Sequence, residues 1–483
     1  MRTSLAVFWS VAGCGGGASG VAGSSPDGSR PDVAANASRD LAVAGNDSGG
    51  ADVGRGDSTS PDADQMDGAI DGSDARVPDG SWSDAESGTE DGGGGDVAGG
   101  AVQCAVRAGG SQWDVSRGVA VAADASATVT GSITATATFG SGEPGETALT
   151  AAGLDDVFIA KYAPDCALTW ARRAGGSEGD RGMAIAHASD GGVFVTGMFA
   201  GSATFGFGEL TQTTLTSAGG FDLFIARYAP DGSLTWAKRA GGPWDDAASG
   251  VATTSDDRCY VTGYFYGNAV FGPGEDEVTT LTSSDGADGD IFVALFGPDG
   301  AVVWAKRGGS TSIDPGFPDW GTAIATWSDD TARVVGQVGG PATLGEGGSA
   351  ATLGQGYFLA AYDIDGTLEW AKGAGDSEAH RANSVAVAPD GTMRVTGQLG
   401  SFGIFGPGEP GETTLYGAGW TDIFVASFEV DGALAWVRRA GAEGQDIGLG
   451  IAVDAGGDAY VTGTFAGTVT FGDGEPGEVT LVS

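Results

Sequence analysis

Five tryptophans recur at a nearly constant interval: Trp170, Trp236, Trp304, Trp370 and Trp436 stand 66, 68, 66 and 66 residues apart. The phrase Leu168-Thr169-Trp170-Ala171-Arg172-Arg173-Ala174-Gly175-Gly176 is repeated around Trp236 and, more loosely, around the other three. Counting 66 residues back from Trp170 reaches Cys104, inside Cys104-Ala105-Val106-Arg107-Ala108-Gly109-Gly110, a sixth start with Cys in place of Trp. The glycine of Val-Thr-Gly follows the starts by 27 residues, at Gly131, Gly197, Gly263, Gly397 and Gly463. Gly336 alone departs, at 32, which places an insertion around Pro315 to Trp320. A register this steady means one supersecondary unit copied along the chain, each copy burying its apolar face against the next.

Each unit parses into four strands. In the second, Gly182–Ala186 is rich in small residues, and Val193–Gly197 follows through the turn Asp190-Gly191. Leu223–Tyr228 and Leu234–Lys238 come next, joined by Asp231-Gly232, which supplies the positive φ a tight hairpin needs. A Gly/Glu/Thr-rich stretch separates the second and third strands, as in Gly406-Pro407-Gly408-Glu409-Pro410-Gly411-Glu412. Ninety of 483 residues are Gly, without a G-X-Y period, and no stretch keeps apolar spacing at helical period. The fold class is therefore all-β. Four antiparallel strands repeated radially make a β-propeller of six recognisable units. Small residues of the first strand suit the crowded axis, and Trp and Phe of the later strands suit packing between blades. A unit of about 66 residues is too long for one coil of a β-helix solenoid. The last unit reaches Ser483 without a third and fourth strand, and 102–108 reads as an orphan fourth strand.

The repeats resemble the bacterial β-propeller repeat family often called SBBP. The resemblance rests on Asp156-Val157-Phe158-Ile159-Ala160, Asp231-Gly232-Ser233-Leu234-Thr235-Trp236 and Val195-Thr196-Gly197 with their counterparts, over 104–483. It implies an exported or surface protein and no particular activity. At the other end, Val11-Ala12-Gly13-Cys14 resembles a bacterial lipobox after a short apolar run from Leu5. That resemblance implies cleavage before Cys14 and acylation of it. The chain then divides into a signal peptide over 1–13, a tether over 14–100 and the repeat domain over 101–483.

Charge separates these parts further. Residues 15–100 hold 17 acids, four arginines, no lysine and one aromatic residue, Trp82, a composition that cannot offset the entropy of ordering. A disordered, self-repelling spacer is expected there. The whole chain carries a net charge of −41, of which −29 falls on 101–483. Such a surface repels nucleic acid and attracts cations or basic partners.

Ten residues past each start stand Asp114, Asp180, Asp246, Asp314, His380 and Asp446, with Asp319 an alternative to Asp314. In a closed ring they share one face with Glu143, Glu146, Glu409, Glu412, Glu475 and Glu478 of the inserted stretches. Two expectations follow: an acidic funnel for calcium or another cation, through Asp114, Asp180, Asp246, Asp314 and Asp446, or aspartates that each cap their own turn by accepting backbone N–H groups. Capping is the commoner fate of a repeated Asp. His187 falls in an inner strand and reads as core; His380 reads as a loop residue. No G-x-S-x-G or H-E-x-x-H stands in the chain, and four cysteines without a CxxC pair argue against structural zinc. Cys104 and Cys166 replace a Trp and a turn Gly; adjacent outer strands are expected to hold them beyond the ~5.5 Å Cα separation of a disulfide. Cys259 reads as a small buried apolar residue.

The sequence thus points to a monomeric, non-catalytic surface module that needs no cofactor. Its lipid anchor is its only membrane attachment, and it binds a protein, an envelope component or matrix. The outer membrane or cell surface is its expected location; without the anchor it is periplasmic or secreted. The competing classes are an extracellular propeller lyase or hydrolase and a purely structural coat.

Overall fold

The computed structural model describes 104–483, except 285–288, 311–317, 375–379 and 473–477, together with the backbone of Ser10–Val11. Unit one contains the strands Asp114–Val121, Ala127–Ile133, Asp156–Tyr162 and Leu168–Gly176. They hydrogen-bond in chain order, antiparallel throughout. The same four-stranded order recurs in units two to five, and unit six contributes Ile447–Val453 and Ala459–Thr464. Among the described residues there is no α-helix. The architecture is a β-propeller-like repeat, with no closed sheet among the described residues.

The third strands read Asp-Val-Phe-Ile-Ala-Lys-Tyr and variants, and all are buried along their whole length except at the half-buried Arg227 of unit two. Their two faces serve different cores. Val157 and Ile159 pack with Ile185, Val193 and Val195 of the next unit. Phe158 and Ala160 pack with Val129, Ala137 and Phe139 of their own. The cores therefore lie between successive sheets, which is why the units stack rather than fold alone.

First strands of consecutive units lie side by side from unit one to unit six. Small residues make this approach possible: a Cβ on Gly118 would stand 3.1 Å from Ala184 Cα, and one on Gly250 3.1 Å from Ile324 N. Every first strand also shifts register near its middle, as between Ser116 and Gly118. Such bulges add twist to the strand that carries them.

The four-strand parse is incomplete in one respect. The Gly/Glu/Thr-rich stretch is itself a hairpin, for example Phe402–Phe405 paired with Thr413–Tyr416. In unit two it runs on from the neighbouring strands, lengthening them to Val193–Phe205 and Thr213–Tyr228. The hairpins of units two, three and four also bond the end of the preceding unit's fourth strand: Gly175 with Thr204, Ala240 with Phe271, Gly308 with Leu344. The insertion is a clasp between units.

The other end of the fourth strand makes a second clasp. Trp170 Nε1 donates to Pro230 O, Trp236 Nε1 to Pro298 O, and Trp304 Nε1 to Ile364 O, each in the third-to-fourth turn of the following unit. The turn glycine lies on the indole, so closely that a Cβ on Gly232 would stand 2.6 Å from Trp170 Cδ2. The expectation that Cys104 and Cys166 stay apart is overturned here. They are joined in a disulfide with Cα atoms 6.3 Å apart. Cys104 holds the Trp place and Cys166 the turn-glycine place, at φ +66°. The relevant distance runs from strand to neighbouring turn, not from strand to strand, and the bridge replaces a Trp–Gly contact.

Candidate functional site

The aspartates at the start of the first strands are held by their own backbone. Asp180 Oδ2 accepts Gly176 N–H at 2.6 Å, and Asp114 Oδ2 accepts Gly110 N–H at 2.6 Å. Asp246 accepts Gly242 N–H at 2.6 Å and Tyr266 N–H at 3.0 Å. Asp446 accepts Ala442 and Ala466 N–H, both at 3.0 Å. Asp314 lies outside the described residues; Asp319 takes the capping place in its unit, accepting Ser310 and Gly339 N–H. His380 is a loop residue, as expected, immediately before the strand Arg381–Val387, but it is buried, and its Nδ1 accepts Gly400 N–H at 3.3 Å. Each cap ties the end of one fourth strand to the start of the next unit and, where two bonds form, to the loop after its second strand.

The structure does not gather these aspartates with one another. It sets Asp180, Asp246, Asp319 and Asp446 each beside an aspartate not counted among the site candidates, the first residue of the preceding third strand: Asp156, Asp222, Asp290 and Asp422. Gly175 separates one such pair: a Cβ there would meet Asp156 Cγ at 2.6 Å and Asp180 Oδ2 at 2.8 Å. Gly241 stands likewise between Asp222 and Asp246. An arginine of the fourth strand answers the charge: Arg173 pairs with Asp156, Arg239 with Asp222, Arg307 with Asp290 and Arg439 with Asp422. The spacing from Asp to Arg is 17 residues in all four. Unit four has Gly356 and Gly373 at these two places, and the following cap is His380 instead of Asp. All three charges vanish together, so the molecule contains its own compensated triple replacement. That covariation was present in the sequence, as Asp two residues before the third strand's Phe and Arg three residues after the fourth strand's Trp.

Burial dominates the electrostatics. Asp180 and Asp246 are fully buried, and loss of hydration pushes each carboxyl up to about 8. The N–H bonds from Gly176 and Gly242 oppose the rise, and nearby Asp156 or Asp222 adds to it. Asp290 is raised to about 6 for the same first reason, against its bonds to Arg307. The rise thus comes from desolvation first, with repulsion from the adjacent junction partner added to it.

Other candidates resolve into support. Glu143 accepts Leu168 N–H at 2.7 Å and Glu409 accepts Leu434 N–H at 2.8 Å. Glu146 and Glu412 accept Gly142 and Gly408 N–H, each at 2.8 Å. Glu475 lies outside the described residues, and Glu478 is exposed. Thr128 Oγ1 stands 3.5 Å from His187 Nε2, and burial lowers the imidazole's pKa. Cys259 is a free, fully buried thiol. Cys14 lies outside the described residues. Among the described residues no group of three or more His, Cys, Asp or Glu is arranged to hold a metal ion, and no helix is long and apolar enough to cross a membrane. A cleft of about 420 Å³ between units four and five is lined by Leu353, Tyr357, Gly373 and Pro407, with Lys372 and Glu409 bonded at 2.7 Å on its wall.

What remains at the capped end of the sheets is apolar and exposed. Trp113 and Trp244 precede first strands and are 53% and 56% exposed; Leu154 and Trp420 precede third strands and are 66% and 85% exposed. First and third strands start at the same end of an antiparallel sheet, so these side chains stand beyond the buried carboxylates.

No protein-family model matches the chain. It is similar to an uncharacterised WD repeat-containing protein of Acanthamoeba polyphaga mimivirus, 25% identical over 127 residues, 26% of this chain and 9% of that protein. It is also similar to the regulatory protein FlaEY of Caulobacter vibrioides, 25% identical over 331 residues, 61% of this chain and 33% of that protein. The chain thus spans a third or less of the length of these curated relatives. They support a repeat architecture.

Proposed function

We propose that the protein is an exported, lipid-anchored, SBBP-type propeller that acts as a non-catalytic interaction module. One observation supports this reading best: the exposed Trp113, Leu154, Trp244 and Trp420 stand at the end of the sheets where the repeated carboxylates are already committed to backbone N–H groups. Aromatic side chains that are exposed in the free protein are the usual anchors of protein interfaces, where they bring a large contact area. Carboxylates held by capping bonds are poor candidates for turnover. The partner is a protein, envelope component or matrix displaying apolar pockets and, given the net charge of −41, basic residues.

The test uses purified protein and isolated cell envelope from the source organism. Saturable binding is expected, and a Trp113→Ser/Trp244→Ser/Trp420→Ser variant should lose it with its unfolding midpoint unchanged. Binding that survives the three substitutions, or hydrolase or lyase turnover abolished by a single substitution, would overturn the reading. For the anchor, Cys14→Ser should move the protein out of the membrane fraction.

A further inference from the structure

The third residue after the repeat tryptophan is arginine in four units, Arg173, Arg239, Arg307 and Arg439, and glycine in one, Gly373. In unit one that arginine reaches across to the next unit: its guanidinium lies 6.0 Å from the ring centre of Phe207, in the turn Gly206-Phe207-Gly208-Glu209. Pro407 stands at the same place in the turn Gly406-Pro407-Gly408-Glu409 of unit five. Gly373 and Pro407 both line the cleft of about 420 Å³ between units four and five. Where an arginine side chain crosses from one unit to the next elsewhere, this junction is open. The volume falls in the range of small-molecule sites, roughly 300–1,000 Å³.

A second substitution puts a polar atom into the same place. The second residue of the third strand's repeat is Val157, Leu223, Ile291 and Ile423 in the other units, and Tyr357 in unit four. Tyr357 is 2% exposed, its ring held against Phe405 and Phe424 of unit five at centroid separations of 5.3 and 5.5 Å. Its hydroxyl is buried without a hydrogen-bond partner, although the residue lines the cleft. Burial first, and the Glu409 carboxylate second, raise the phenol well above its ordinary pKa, so the hydroxyl keeps its proton. A buried donor left unpaired costs stability that the apolar residue of the other units does not. On the wall, Lys372 Nζ donates to Glu409 Oε1 at 2.7 Å, and Glu409 Oε2 accepts Leu434 N–H at 2.8 Å. Leu353 and Pro407 add apolar surface.

We infer that this cleft binds a neutral sugar ring, an uncharged ligand with hydroxyls along its edge and an apolar face. The Tyr357 hydroxyl donates to one sugar oxygen. The Lys372 ammonium donates to a neighbouring hydroxyl and the Glu409 carboxylate accepts from another, while Leu353 and Pro407 receive the apolar face. Neutrality follows from the charges present. Lys372 and Glu409 cancel each other, and Gly356, Gly373 and His380 replace the Asp, Arg and Asp that other junctions hold. A charged group would lose hydration there with no unpaired counter-charge to meet it. The inference goes beyond the interaction reading and uses none of its tryptophans.

The test uses the full chain with glucose, galactose, N-acetylglucosamine and their disaccharides as probes, and arginine and phosphate as charged controls, read by ligand-observed NMR and calorimetry. Saturable binding of at least one sugar is expected, and neither charged control should displace it. Tyr357→Phe removes only the hydroxyl and should weaken binding about tenfold, the loss of one hydrogen bond, while the free protein's unfolding midpoint holds or rises. Gly373→Met refills the place that arginine fills elsewhere and should abolish binding; a Cβ there stands 3.4 Å from Leu353 Cβ, an ordinary contact. If that variant unfolds early, Tyr357→Phe decides alone. No sugar binding, displacement of the sugar by arginine or phosphate, or sugar binding unchanged by Tyr357→Phe would overturn the inference. Failure here leaves envelope binding through the tryptophans intact, so the two readings are separable.

Discussion

Replacing Asp180 by Asn turns the buried carboxyl into its neutral isostere and makes the cost of ionisation measurable. In the unfolded chain the group titrates near 3.8; in the fold it is raised to about 8 by desolvation first, with repulsion from Asp156 and Asp155. Its Oδ1 is buried without a hydrogen-bond partner, as suits an acid that keeps its proton. Between those two values the folded state binds more protons than the unfolded one, so stability falls as pH rises. The favourable contribution is complete below about 3.8, declines across the window and is gone above about 8. At 1.36 kcal/mol per unit the ceiling is about 6 kcal/mol; relaxation and water entry around a real buried charge reduce it, and we expect ~2–3 kcal/mol. Urea unfolding of both proteins from pH 4.5 to 9 gives the difference directly, and subtraction removes the general repulsion of a strongly acidic chain. Asp180→Asn should be close to neutral at the acid end and progressively stabilising towards pH 8. A difference that stays flat, or that makes Asn worse as pH rises, would mean that the bond from Gly176 keeps the carboxylate ionised and that desolvation has been overweighted.

Reducing the Cys104–Cys166 bridge, which spans 62 residues, should destabilise the domain by up to about 4 kcal/mol on the loop-entropy estimate; unfolding with and without reductant reads this, and identical midpoints would refute the pairing. Gly197→Ala places a Cβ 1.9 Å from Arg181 O and 2.9 Å from Phe224, so a loss of about 3 kcal/mol is expected from overpacking. A loss below about 1 kcal/mol would show that the strands yield there. Calcium and magnesium at equal ionic strength should raise the melting temperature of 101–483 equally, because the aspartate oxygens are engaged by N–H groups. A calcium-specific rise, lost in Asp180→Asn/Asp246→Asn, would restore the acidic funnel. Limited proteolysis should cut within 15–100 and leave a resistant core starting near residue 101.

The repeat, the strand order and the Asp-Gly turns were legible in sequence, because a 66-residue period fixes equivalent positions without knowing where they sit. Capping by Asp114, Asp180, Asp246 and Asp446 was legible too, since a short polar side chain beside a turn bonds the nearest backbone. What one unit's sequence does not encode is which neighbour a residue meets. The junction partners Asp156 and Asp180 are 24 residues apart and belong to different units, brought together only when sheets stack. Cys104 and Cys166 meet for the same reason, a strand lying under the next unit's turn. The rise of Asp180 and Asp246 is likewise a property of the stack, because desolvation depends on everything packed around a group and not on its neighbours in the chain. Sequence periodicity determined the unit; packing between units decided which of its polar groups are bonded and buried, and which apolar side chains stay exposed.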